Sequence, residues 1–313
     1  MELPLGSVPA ADPAAEPDGF VVLADDGTRV HFLDWGAPSQ PAAAGALLIH
    51  GLSQTAWLWT PVARRLRGAV STVAMDLRGH GLSDAPTDEP DVEYALAVLA
   101  ADVVAVAEGS GLLAALGDRV VLAGHGFGGI VAAAAAATLG SRCAGLVLVD
   151  GGWEDAEEAS DVEVEEFLRG LDEPPEVLAS MRAFLADRAA FDPPTWDQDQ
   201  EYAARMTVVE THAGRVVSAT RPHALEASVR TMFAYDPLAA LSGVAAPVHA
   251  LLAGDDETGS REDALAEASR AREHAGRDAI TISRFPGVGH NLMRYRPAEV
   301  AAAILGFSAA VRR

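Results

Sequence analysis

The apolar run Arg119-Val120-Val121-Leu122-Ala123 passes without a linker into Gly124-His125-Gly126-Phe127-Gly128-Gly129 and then into the alanine-rich stretch 132–137. A β-type run that turns at once into a strong helix-forming segment must reverse sharply, with small residues two before and two after the apex so that the turn can close. Glycines stand at both flanking positions, 124 and 128. In G-x-S-x-G sequences the apex presents a serine nucleophile. Here the apex is Gly126, so the turn is built and its hydroxyl is missing.

A strand feeding a helix in this way belongs to a parallel sheet, and the rest of the chain has the same rhythm. Short β-type runs occur at 20–23, 30–33, 46–49, 70–75, 120–123, 146–149, 248–252 and 280–285, which predicts eight strands. Asp25-Asp26-Gly27 between the first two signals a hairpin turn. Helical patterns at about 57–67, 92–108, 127–139, 260–274 and 297–311 intervene between the others, as a sheet covered on both faces requires. The predicted class is α/β, an eight-stranded mostly parallel sheet flanked by helices.

Between the sixth strand, ending at Asp150, and the seventh, starting near Pro247, almost 100 residues carry helical patterns and no good strand run. A structureless loop of that length does not occur inside a compact domain, so residues 151–245 are expected to form an inserted helical cap. The core then comprises 19–150 and 246–313, and residues 1–18, rich in Ala, Pro and acid, are expected to be a disordered tail.

Lys and Arg total 23 against 45 Asp and Glu, a formal net charge of -22 that repels phosphate backbones and anionic membranes. The single cysteine, Cys143, excludes an internal disulfide and a cysteine-built metal cluster. With no apolar span of about 18 residues and no leader pattern, a soluble cytoplasmic protein is expected, without nucleic-acid or membrane partners. A homodimer is left open.

Three further loops follow strand ends. His50-Gly51-Leu52 ends the third strand, where in a hydrolase sheet the backbone N–H after Gly51 and the N–H after the turn apex serve together as oxyanion donors; those residues would be Leu52 and Phe127. Asp76-Leu77-Arg78-Gly79-His80-Gly81-Leu82-Ser83-Asp84 follows the fourth strand and is read as a loop-structuring segment. Gly289-His290 follows the eighth strand, ahead of the last helix, and makes His290 the candidate general base among nine histidines. His125 is read as a packing residue. The acid partner stays open between Asp150, at the end of the sixth strand, and Glu257 or its neighbour Asp256, at the end of the seventh. From the cap, Trp153, Trp196, Met232 and Phe233, with Phe167, Phe184, Met206 and Tyr235, are candidate walls of an apolar pocket or else the cap's own core.

These motifs stand in the order found in the α/β-hydrolase superfamily, which the chain resembles from about residue 20 to its end; the cap and the segment 146–152 are similar to those of capped esterases and lactonases. The resemblance implies a serine-histidine-acid site at the top of the sheet, no cofactor and no metal. Gly126 departs from it. The expectation is a hydrolase of a neutral, largely apolar ester or lactone, inactive in this form because the elbow serine is replaced by Gly126. The alternatives are a histidine-dependent lyase or isomerase on the same fold, or a ligand-binding protein without turnover.

Overall fold

The computed structural model describes residues 16–38, 44–115, 117–160, 162–254 and 259–310. Ten strands are present among them: β1 (Asp18–Leu23), β2 (Arg29–Asp34), β3 (Gly45–Ile49), β4 (Thr72–Met75), β5 (Val120–His125), β6 (Cys143–Val149), β7 (Val208–Glu210), β8 (Val216–Ser218), β9 (Val248–Ala253) and β10 (Thr281–Phe285). Eight form one sheet in the order β1-β2-β4-β3-β5-β6-β9-β10. The first two pairings, β1 with β2 and β2 with β4, are antiparallel and the remainder parallel. The sheet and its eight strands are those the sequence predicts.

Every residue of β3, β5, β6 and β9 is buried. Helices cover both faces of these strands, so neither set of alternating side chains reaches water, and the strands read as continuous apolar runs rather than alternating ones. The β1–β2 turn closes on Gly27, whose φ of 86° only glycine adopts without strain, with Gly27 N–H donating to the Ala24 carbonyl at 2.9 Å.

From β3 the chain passes to β4 on one side, and then crosses to β5 on the other. That reversal opens a crevice at the carboxyl ends of β3 and β5, where α/β sheets bind ligands. Leu48 pairs with Ala123 and Ile49 with Gly124, so the His50 loop and the Gly126 turn emerge side by side.

The segment between β6 and β9 holds helices Ala156–Ser160, Val164–Gly170, Met181–Phe191, Gln198–Met206 and Pro222–Phe233. Ser180 and Asp197 cap two of them, accepting from Ala183 N–H and Gln200 N–H. The insertion is not wholly helical, because β7 and β8 form an antiparallel hairpin inside it. Its β-branched pairs, Val208-Val209 and Val216-Val217, suit a strand, and Gly214 at φ 77° allows the turn. The insertion is tied to the core by Arg64 with Asp199 (2.6 Å) and by Arg294 donating to Thr195 Oγ1 (2.6 Å) and the Asp192 carbonyl (2.7 Å), and its two ends are joined by the Tyr235 hydroxyl donating to the Gly152 carbonyl (3.0 Å). The expected tail over 1–18 lies outside the described residues up to 15; within them, Glu16 pairs with Arg64 and β1 begins at Asp18.

Candidate active site

Gly126 caps the helix Phe127–Leu139 with φ 52° and ψ −119°, a backbone conformation that glycine holds at no side-chain cost. Its N–H donates to the Val149 carbonyl (3.1 Å) and its carbonyl accepts from Gly129 N–H (2.9 Å), so the turn is fixed from both sides. The surrounding glycines are there for close approach. A Cβ on Gly124 would lie 2.1 Å from the Gly128 carbonyl oxygen, one on Gly128 2.3 Å from that of His50, and one on Gly129 2.7 Å from that of Gly151. Gly126 is different. Among the described residues, a Cβ placed on it would meet, within 4 Å and beyond its chain neighbours, only the imidazole of His290, with Nε2 at 3.3 Å and Cε1 at 3.6 Å.

His290 Nδ1 lies 2.6 Å from Asp150 Oδ2. A carboxylate only accepts, so Nδ1 carries the proton and Nε2 keeps its lone pair on the side facing Gly126. The other oxygen of Asp150, Oδ1, accepts from Ala253 N–H (2.8 Å) and from Arg261 (3.0 Å). Burial pushes the Asp150 carboxyl up, but the His290 hydrogen bond, the Arg261 guanidinium and the Ala253 N–H together hold it below the usual carboxylate range. The side chain of Asp150 is 3% exposed and that of His290 58%, so a buried anion backs an imidazole open to solvent. Arg261 also pairs with Glu154 (3.0 Å) and lies over the Trp153 ring. Asp150 is thus the carboxylate that meets His290; Glu257 and Asp256 lie outside the described residues.

The His50 loop is held by its own histidine. His50 Nδ1–H donates to the Gly51 carbonyl (2.7 Å), and Nε2 accepts from Leu77 N–H (3.0 Å). Because the Gly51–Leu52 peptide is trans, drawing its carbonyl toward His50 turns the Leu52 N–H the opposite way. Among the described residues no hydrogen bond takes up the N–H of Leu52 or of Phe127. Both expected oxyanion donors are therefore unclaimed.

The loop after β4 acts as expected. The buried Asp76 carboxylate accepts from His31 Nδ1 (2.8 Å), Ala56 N–H (2.7 Å) and Leu82 N–H (3.1 Å), and Gly81 packs directly against it. His80 is fully buried, with Nδ1–H donating to the Arg78 carbonyl (3.1 Å).

Of the four pocket candidates, Trp153 is buried under Arg261, Met232 packs partly buried against the core, Phe233 meets Phe167 edge-on at 5.5 Å, and Trp196 lies beneath Arg294. Phe184 and Tyr235 are core. A concavity beside the His290 loop is lined instead by Phe191, Asp192, Gly287, Val288, Gly289, Tyr295 and Arg296. Among the described residues no cluster of His, Cys, Asp or Glu has the makings of a metal site, and no helix is long and apolar enough to cross a membrane. Sequence reasoning missed Arg261 and the contact of His125 with His290. The first is 111 residues from its partner with no spacing to betray it, and the second follows only from how the turn folds.

The sheet order, the tight glycine turn after β5 and the histidine loop after β10 define an α/β-hydrolase. The chain belongs to the alpha/beta hydrolase family, whose sequence profile matches residues 46–303. It is 32% identical over 121 residues to Epoxide hydrolase 4 of Mus musculus (39% of this chain, 31% of that protein) and 35% identical over 126 residues to Esterase PIR7B of Oryza sativa subsp. japonica (39% and 44%). It therefore spans less than half the length of these curated relatives. The crystal structure of E-2-(acetamidomethylene)succinate hydrolase superposes with a TM-score of 0.72 at 23% identity, over 93% of this chain and 98% of that one, a likeness of fold.

Proposed function

We propose that the chain carries the binding and acid–base parts of a hydrolase for neutral, largely apolar carboxylic esters or lactones, in a form whose covalent nucleophile is replaced by Gly126. The observation that carries this reading is the position of a Gly126 Cβ, 3.3 Å from His290 Nε2 and, among the described residues beyond its chain neighbours, within 4 Å of the His290 imidazole alone. A serine there directs its hydroxyl at a base already oriented by Asp150, while the N–H groups of Leu52 and Phe127 receive the developing oxyanion. The net charge of -22 disfavours an anionic acyl substrate, and one relative bears the name esterase. The chemistry needs no cofactor.

Gly126→Ser is the test. It is expected to raise hydrolysis of 4-nitrophenyl esters or aliphatic lactones by at least about a thousandfold and to create a site labelled stoichiometrically by a fluorophosphonate. No gain across such a panel, in a variant that melts as cooperatively as the parent, would overturn the reading. A non-hydrolytic product formed by the Gly126 protein would move the assignment to a histidine-dependent lyase or isomerase.

A further inference from the structure

We propose that the Gly126 protein itself hydrolyses esters by direct attack of water, without an acyl-enzyme, with water in the place of the serine hydroxyl and His290 as its general base. The proposal rests on the hydrolytic reading of the His290–Asp150 pair given above.

Four observations carry it. Among the described residues and beyond the chain neighbours of Gly126, a Cβ there would meet within 4 Å only the His290 ring, so a water oxygen fits where a side chain would begin, within hydrogen-bond reach of Nε2. Nε2 holds the lone pair because Nδ1 is committed to Asp150 at 2.6 Å. Asp150, backed by Ala253 N–H and Arg261, remains an anion and stabilises the imidazolium that forms when Nε2 takes a proton. Finally, the His290 side chain is 58% exposed, so water reaches it without any rearrangement of the fold.

The step balances without a co-reactant other than water. A lone pair of the water oxygen forms the new bond to the acyl carbon as the carbonyl π pair moves onto oxygen, and the water proton passes to His290 Nε2. The oxyanion, held by the N–H groups of Leu52 and Phe127, then re-forms the carbonyl as the bond to the alkoxy oxygen breaks. The departing oxygen takes the proton from Nε2, which leaves an acid, an alcohol and a neutral imidazole. No acyl-enzyme forms, so the route shows no burst and is indifferent to serine-directed reagents.

The test follows the full chain, and its Gly126→Ser, His290→Gln and Asp150→Asn variants, with 4-nitrophenyl acetate and dihydrocoumarin as probes. The Gly126 protein is expected to exceed buffer by about a hundred-thousandfold, the roughly thousandfold that the oxyanion hole and binding supply without a nucleophile multiplied by the roughly hundredfold of a general base. His290→Gln is expected to lose about a hundredfold of that or more, and transfer to heavy water to slow the rate about twofold or more, as general-base catalysis requires. Mass spectrometry during turnover should find the protein unmodified. A rate equal to buffer, a rate unchanged in His290→Gln, or an acyl group on the protein, which marks attack by imidazole nitrogen, overturns the proposal. Because Gly126→Ser is assayed in parallel, a gain there beside a silent Gly126 protein removes only the water route, whereas silence in both removes the hydrolytic reading as well. Thermal melting of each variant confirms that a lost rate is not a lost fold.

Discussion

His125 and His290 lie ring against ring, 4.3 Å between centroids, and the Nε2 of His125 faces the main-chain carbonyl of His290 at 3.3 Å. A carbonyl only accepts, so Nε2 carries the proton and Nδ1 is the bare nitrogen, buried against Gly51, where a Cβ would come within 2.7 Å of it. The residue before the turn apex thus holds both the base and the oxyanion loop. In a Gly126→Ser background, His125→Ala is expected to lower kcat by roughly ten- to a hundredfold with KM little changed, since the misplaced base still binds substrate. His125→Phe, which keeps the ring contact, should recover part of the loss. If both variants instead lost only melting temperature, the residue would be a packing element alone.

Asp150 and Glu257 make opposite predictions. In the same background Asp150→Asn should reduce kcat by about a thousandfold or more, because it removes both the tautomer preference of His290 and the charge that stabilises its imidazolium. Glu257→Gln should leave kcat within about twofold of the parent, a change too small to signal loss of a catalytic charge. Steady-state kinetics on one ester ranks the two, and the reverse order would assign the acid to the loop after β9.

Gly128 is a packing requirement rather than a flexible joint. A Cβ there would stand 2.3 Å from the His50 carbonyl oxygen and 2.4 Å from that of Ile49, both main-chain atoms of the neighbouring strand end. Gly128→Ala is therefore expected to cost about 1–3 kcal/mol in urea unfolding. Gly170→Ala, at a helix position with nothing within 4 Å, should be neutral or mildly stabilising. Equal behaviour of the two would show that the turn has slack.

Acid should destabilise the fold before its carboxylates titrate. Burial pushes His80 and His125 down to about 3, helped by the neighbouring His50 and His290 respectively, while in an unfolded chain histidine titrates near about 6.5. The folded value is the lower one, so the unfolded state takes up the extra protons. Stability is whole above about pH 6.5 and falls as the pH drops toward 3, by up to about 1.4 kcal/mol per pH unit for each histidine. Asp76 and Asp150 are also held below their ordinary values, despite burial, Asp76 chiefly by the hydrogen bond from His31 and Asp150 by the hydrogen bond from His290 and the Arg261 guanidinium; their contribution is lost in a lower window, beneath about pH 3.9. The urea midpoint at pH 5 should lie below that at pH 7.5, and His80→Gln should flatten the slope. A midpoint indifferent to pH over that interval would contradict the assignment.

Much of this architecture was legible because its constraints are local. Continuous apolar runs marked β3, β5, β6 and β9, and the spacing of Gly124 and Gly128 marked the turn, since close backbone contact admits no other residue. His290 stood out between a glycine and a helix start. The choice between Asp150 and Glu257 was not legible, because β6 and β9 are adjacent parallel strands, with Val149 opposite Leu251, and deliver their loops to the same edge. Only distance separates such candidates. The β7–β8 hairpin escaped notice because three-residue strands are too short to show a period. Trp153 could not be divided between pocket and core because composition does not say which way a ring faces.

The turn at Gly126 is held by main-chain hydrogen bonds and by the glycines around it, so its shape owes nothing to a side chain at the apex. Glycine codons GGC and GGT differ from the serine codons AGC and AGT by a single base. A gene that uses either at this position sits next to a serine-bearing version of itself in mutational space, and the protein need not be rebuilt for the lineage to cross. Selection can thus silence or revive the covalent chemistry of this scaffold reversibly, for as long as the neighbouring histidine and aspartate are kept.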